Sequence, residues 1–172
     1  MTHTALEARL IADSALLATK VVRLASELGK TLGLAESCTG GLVSAFITGV
    51  DGSSKIYAGG VVSYSNDVKE SLLGVAHSTL DSHGAVSPET AVEMACGVRL
   101  NLGVDVGLSV TGIAGPGGGS VEKPVGLLYV AVSGPEDRQE CRRLLFSGSR
   151  RVVRLLTAKR ALEMLLKFLS AT

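Results

Sequence analysis

Apolar residues recur along this chain at helical spacing in some segments and as short continuous runs in others. Over residues 15–28, Leu16, Leu17, Val21, Val22, Leu24 and Ala25 share a helix face, and Gly29 supplies a C-terminal stop. Residues 31–37, TLGLAES, are short and apolar and read as a buried strand. In CTGGLVSAFITGV, apolar Leu42, Val43, Ala45, Phe46 and Ile47 follow Gly40 and Gly41, so a helix starts directly after that strand. Residues 56–65 read as a second strand, and residues 66–73 as a short helix capped by Ser65 or Asn66. Ser87 is placed as an N-cap and Pro88 at the first position of a helix whose buried stripe is Ala91, Met94, Ala95, Val98 and Leu102, ending at Gly103. VDVGLSVTG is another strand. VGLLYVAVS and RQECRRLLFS form two more, a hairpin joined through Gly134 and Pro135. The last helix runs over about residues 150–169 on a stripe of Val152, Leu155, Leu156, Leu162, Leu165, Leu166 and Leu169. Residues 1–14 show no decisive pattern and are a candidate loose N-terminal arm before a single domain over 15–172.

Helices between the early strands imply parallel pairing, and the late consecutive strands imply antiparallel pairing. The expected fold is therefore α/β, a mixed sheet with helices on both faces. With 172 residues and 46% hydrophobic positions the chain can bury one sizeable core. A net charge of +1 gives no bulk attraction to nucleic acid or to an anionic membrane. Glu7, Arg9 and Asp13 interrupt any signal-peptide run, and no apolar stretch approaches the roughly 20 residues of a membrane span. Cys38, Cys96 and Cys141 are odd in number and form no CxxC pair, so neither a zinc site nor a disulfide framework is indicated, and a reducing cytoplasm is the expected compartment. No cofactor is called for. Oligomeric state is left open, a homo-oligomer included.

Two glycine-rich turns follow strands: AESCTGG at 35–41 and TGIAGPGGGSVEKP at 111–124. Ligands of open α/β sheets sit at the carboxyl ends of strands, so both loops should face one pocket. The second loop lacks the closing Gly-Lys-Ser/Thr of a Walker A motif, and its alternative reading is a flexible surface loop. Ser37 stands before a helix N-terminus, where amides of Thr39, Gly40 and Gly41 are placed to hold an oxyanion. On spacing alone Ser37 is equally a helix cap and a nucleophile. No histidine is placed to activate it: His3 lies in the arm, and His77 and His83 sit in a segment suited to capping or exposure. Lys69, about three residues into its helix, supplies the missing base, since the helix dipole and burial both disfavour its charge. A lone lysine is otherwise an ordinary surface residue. Tyr64, just upstream, is placed to donate a hydrogen bond or relay a proton.

AESCTGG at 35–41, VVSYSNDVKESLLGV at 61–75 and TGIAGPGGGSVEKPVG at 111–126, with GAVSPETA and FSGSRRVVR, together resemble the CinA C-terminal domain family, which includes stand-alone nicotinamide-nucleotide amidases. The likeness covers roughly residues 15–170. It implies a three-layer α/β/α fold and a serine–lysine amidase that converts nicotinamide mononucleotide to nicotinic acid mononucleotide and ammonia, in pyridine-nucleotide recycling. By motif, the resemblance makes Ser37 the nucleophile, Lys69 the base and Tyr64 an assistant. Thr39, Gly40 and Gly41 would shape the oxyanion side. Thr111, Gly112, Ala114, Gly115 and Lys123 would hold substrate, and Arg150 and Arg154 its phosphate. Ser149 stands where the family often has Asp, which puts the local loop arrangement in question. The sequence shows no counterpart of the N-terminal molybdopterin-binding-like domain of CinA proteins, so pyrophosphatase activity belonging to that domain is not expected. Two other readings compete: a non-catalytic pyridine-nucleotide-binding module, which would have no need of the Ser37–Lys69 pair, and a competence- or DNA-damage-related interaction protein. Only 3% aromatic residues and near-zero net charge argue against nucleic-acid stacking.

Overall fold

The computed structural model describes residues 3–171; residues 1 and 2 of the supposed arm and Thr172 lie outside the described residues. Five strands form one sheet: β1 (Leu32–Glu36), β2 (Tyr57–Val62), β3 (Val106–Gly112), β4 (Leu127–Ser133) and β5 (Gln139–Leu145), in the order β2-β1-β3-β4-β5. β1 pairs in parallel with β2 and β3, while β3–β4 and β4–β5 are antiparallel. The mixed sheet is the expected one, and its hairpin closes where Gly134 N–H donates to the Arg138 carbonyl at 2.8 Å.

Alternate residues along each strand sort to opposite faces. Leu32 and Leu34, Leu108 and Val110, and Leu128, Val130 and Val132 meet α1 (His3–Glu27), α2 (Leu42–Thr48) and α6 (Arg150–Ser170) in one core. Ala35 and Ala131 face the other way, where α5 (Pro88–Leu102) packs with α3 (Asn66–Leu73) and α4 (His77–His83). That makes three layers, with helices on both faces. No helix among the described residues is long and apolar enough to cross a membrane.

Three expectations change. The first helix does not begin at residue 15: α1 runs from His3, so the described part of residues 1–14 is helical and docked, not a loose arm. Leu10 is buried against Val152 and Leu155 of α6. Glu7 pairs with Arg151 at 2.8 Å and Asp13 with Lys159 at 2.7 Å, so the charges that broke the apolar pattern face α6. The second strand ends at Val62, before the expected residue 65, because the chain turns there to deliver Ser65 as the N-cap of α3, accepting from Val68 N–H. A helix, α4, occupies the HSTLDSH segment, where none was expected. Glu93 of α5 caps it at a distance, accepting from Ala76 N–H at 2.8 Å and Thr79 Oγ1 at 2.6 Å.

α3 carries Lys69, and it is seated on α5 through a backbone contact. A Cβ on Gly97 of α5 would overlap the Leu73 carbonyl at the end of α3. Gly97→Ala is expected to cost about 1–3 kcal/mol of stability, since the backbone has to move to admit the methyl group. Urea unfolding measures this; an unchanged midpoint would mean that α3 is not held there.

Candidate active site

β1 and β3 are parallel neighbours, and their carboxyl ends open at the same edge of the sheet. Ser37 follows β1 directly, its N–H donating to the Val110 carbonyl of β3 at 2.9 Å. The chain beyond β3 forms the glycine-rich loop. Between these ends lies a cleft of about 250 Å³. Ser37, Tyr64, Lys69, Thr111, Gly112, Ala114, Gly115 and Arg150 line it, as the sequence suggested, together with Cys38, Ala85, Val86 and Ile113, which it did not. Thr39, Gly40, Gly41, Lys123 and Arg154 are not on its wall.

Lys69 is 1% exposed and among the largest fully buried side chains of the described residues. Its Nζ donates to the Ser63 carbonyl at 2.8 Å and reaches the Ser65 carbonyl at 3.5 Å. The third neighbour of Nζ is Ser37 Oγ, at 3.4 Å. All three partners are uncharged. Burial in this setting holds the Lys69 pKa below the ordinary lysine value. Cys38, beside Ser37, is the other nucleophilic atom on the wall. Burial pushes its pKa up to about 12, so it stays a thiol, and a thiol is a poor nucleophile. Only Ser37 has both a hydroxyl in the cleft and a basic atom within reach.

The turn after Ser37 is built differently from the expected oxyanion cradle. Gly40 N–H donates to the carbonyl of Ser37 itself at 3.0 Å, so it is occupied inside the turn. Gly40 and Gly41 have φ of 59° and 88°, a left-handed pair that favours residues without a Cβ. α2 then starts without a side-chain cap from Gly41. The buried Glu36 replaces that cap from the strand, accepting from Val43 N–H at 3.1 Å and Ser44 N–H at 2.8 Å. The Glu36 carboxylate at the positive end of α2 holds that helix to the strand that leads into Ser37. The sequence reading missed this residue, although it lies inside the quoted AESCTGG motif.

Tyr64 is 61% exposed at the cleft mouth, and its hydroxyl accepts from Arg150 at 2.7 Å. Arg150 also donates to the Gly115 carbonyl at 2.8 Å, so one guanidinium ties both lips of the cleft. Tyr64 thus pairs with Arg150, and no hydrogen bond joins it to Ser37 or Lys69. Thr111 Oγ1 donates to the Ala85 carbonyl at 2.6 Å and fixes the wall. Lys123 donates to the His83 carbonyl, tying the glycine-rich loop to the end of α4 outside the cleft. Ser149 caps α6 by accepting from Val152 N–H at 3.3 Å, the task an aspartate would perform there. His77 and His83 are exposed and lie away from the cleft, near Glu70 and Glu89 at 3.1 and 3.8 Å. Among the described residues there is no cluster of His, Cys, Asp and Glu able to hold a metal ion.

A family model described as CinA C-terminal domain matches residues 14–169. A protein of Halothermothrix orenii named "Putative competence-damage inducible protein" is 51% identical over 157 residues, 91% of this chain and 38% of its own length. A "CinA-like protein" of Thermotoga maritima is 46% identical over 87% of this chain and 36% of its own length. The chain thus spans a little over a third of these relatives. Among solved structures, the competence/damage inducible protein CihA from Agrobacterium tumefaciens superposes with a TM-score of 0.89 at 41% identity, covering 92% of this chain and 96% of that one. A CinA superfamily protein from Escherichia coli gives a TM-score of 0.87 at 28% identity, covering 91% of each chain.

Proposed function

The chain belongs to the CinA C-terminal domain family, and from that premise we propose that it is a serine–lysine amidohydrolase converting nicotinamide mononucleotide to nicotinic acid mononucleotide and ammonia. The substrate rests on the motif resemblance. The chemistry rests on one observation: a buried lysine with no carboxylate partner, 3.4 Å from a serine hydroxyl at the end of a strand.

In neutral Lys69 the two Nζ protons have two carbonyls to point at, those of Ser63 and Ser65, which leaves the lone pair for Ser37. Lys69 takes the Ser37 proton as Oγ attacks the carboxamide carbon. The C–N bond breaks as the protonated Lys69 returns that proton to the departing nitrogen, which leaves as ammonia. An acyl ester on Ser37 remains. Water attacks this ester with Lys69 again as base, and the proton then restores the Ser37 hydroxyl, freeing the carboxylate product. The cationic pyridinium ring withdraws electrons from the carboxamide and favours attack.

Arg150 is the phosphate ligand in this reading. Its present acceptors are a phenol and a carbonyl, both neutral, and a phosphate offers stronger charge-assisted bonds. No Asp or Glu lines the cleft to repel an anion. The test is ammonia release from nicotinamide mononucleotide, nicotinamide riboside and nicotinamide in parallel. The mononucleotide is expected to be used best, and no ammonia from any of them would refute the proposal. Arg150→Ala is expected to lower kcat/KM for the mononucleotide by roughly 10–100-fold, the worth of a hydrogen bond to a charged group. The riboside should barely change. An equal loss on both substrates would take the phosphate away from Arg150.

A further inference from the structure

Arg154 lies one turn beyond Arg150 on α6, yet the two guanidiniums do different things. Arg154 is half-buried, and among the described residues no ion pair includes it. Its Nη2 donates to the carbonyl of Thr39 at 2.6 Å, and its Nε is buried without a partner. Thr39 is itself fully buried. The peptide that joins Thr39 to Gly40 presents its carbonyl to Arg154 and its N–H to the carbonyl of Ser37 at 3.0 Å. One peptide thus connects a guanidinium to the backbone of the nucleophile through two hydrogen bonds in series. Each bond in such a chain polarises and strengthens the next. A Cβ on Gly40 would come within 3.5 Å of Arg154 Nη2, so the guanidinium lies against the turn.

We propose that Arg154 is a positioning residue for the nucleophile: acting through the Thr39–Gly40 peptide, it holds the turn that presents Ser37 and takes no part in binding the substrate's phosphate. The proposal rests on Ser37 being the nucleophile of the amidase reading, but its first consequence is structural. Gly40 and Gly41, a left-handed pair with φ of 59° and 88°, have no side chains of their own to hold the turn. Without the guanidinium, the Thr39 carbonyl keeps only the Leu42 N–H, at 3.3 Å. The turn then loosens, and Ser37 Oγ samples positions away from Lys69. Small displacements of a reacting atom cost about 10²-fold in rate without weakening substrate binding.

Arg154→Ala and Arg154→Lys decide the matter, the lysine variant keeping the charge but not the planar fork. Hydrogen exchange at the Gly40 amide, followed by NMR, is expected to quicken about tenfold or more in Arg154→Ala as its bond to Ser37 weakens. Arg154→Lys should fall between Arg154→Ala and wild type. In ammonia release, kcat should fall about 10²-fold in Arg154→Ala with KM nearly unchanged, and by the same factor on mononucleotide and riboside. A raised KM confined to the mononucleotide would instead make Arg154 a phosphate ligand and overturn the proposal. So would an unaltered Gly40 amide, or a quickened amide with wild-type kcat. A wild-type protein that released no ammonia would refute the amidase reading, and the Gly40 exchange in the two variants would still decide the role of Arg154.

Discussion

Ser37→Ala is expected to lower the rate of ammonia release by several orders of magnitude while leaving the fold and substrate binding in place. The size follows from what is removed. In the proposed mechanism Ser37 supplies the atom that forms the covalent intermediate, and removing the nucleophile of a hydrolase that works by acyl transfer leaves only the contribution of binding and of oxyanion stabilisation. The neighbouring Cys38 offers no substitute, since burial raises its pKa to about 12 and keeps it protonated at neutral pH. The fold should tolerate the change. The Ser37 backbone keeps its bonds to Val110 and Gly40, and the side chain contributes one long contact to Lys69, at 3.4 Å. The measurements are kcat for the mononucleotide, a thermal melt, and mass spectrometry of protein quenched during turnover. An acylated Ser37 peptide should appear in the wild type and not in the variant. Near-normal turnover by Ser37→Ala would eliminate the covalent mechanism.

The parts of this protein that were legible in its sequence are those set by local chemistry. Ser87 and Pro88 open α5 and Gly103 closes it, because cap hydroxyls and left-handed glycines act on the residues next to them. The two directions of strand pairing followed from which strands have helices between them. What stayed hidden depends on partners far along the chain. In the sequence Glu7 and Asp13 only interrupt a signal-peptide run; in the fold they pair α1 with Arg151 and Lys159 of α6. α4 has no apolar stripe to announce it and is capped by Glu93 from another helix. Glu36 caps α2 from within a strand, where a carboxylate is not expected to be buried.

The candidate site divides in the same way. Ser37 and Lys69 are 32 residues apart, and spacing left the serine open between cap and nucleophile. The motif resemblance singled out both, and the fold puts them in contact. For Arg150, Arg154 and Lys123 the residue type pointed to anion binding, but only Arg150 reaches the cleft wall. The other two are bound to backbone carbonyls, a use of cationic donors that no sequence pattern distinguishes from a phosphate site.

Replacing Lys69 by methionine is expected to abolish activity and at the same time make the protein more stable, and the two effects have one cause. Lys69 is buried with neutral partners, so its charged form is disfavoured in the folded state and its pKa lies below the usual value of about 10.4. Between the folded and unfolded pKa values the unfolded chain binds the extra proton, so the stability of the wild type rises with pH across that window, by about 1.4 kcal/mol per unit. Below the folded pKa both states are protonated and the full penalty of burying the ammonium remains. Methionine has a similar volume and no charge to bury. The melting temperature of Lys69→Met should therefore exceed that of the wild type at neutral pH, and the gap should close as the pH rises toward that of a free lysine. Activity behaves in the opposite sense. The wild-type kcat/KM should climb with pH as Lys69 loses its proton, with a midpoint below 10.4. Lys69→Arg keeps a cation but cannot become a neutral base at any accessible pH, so it should be nearly as inactive as Lys69→Met. It should also be the less stable of the two variants, because the guanidinium stays charged in a pocket that has no carboxylate to meet it. Rescue of turnover by arginine would show that Lys69 serves as a charge and not as a base.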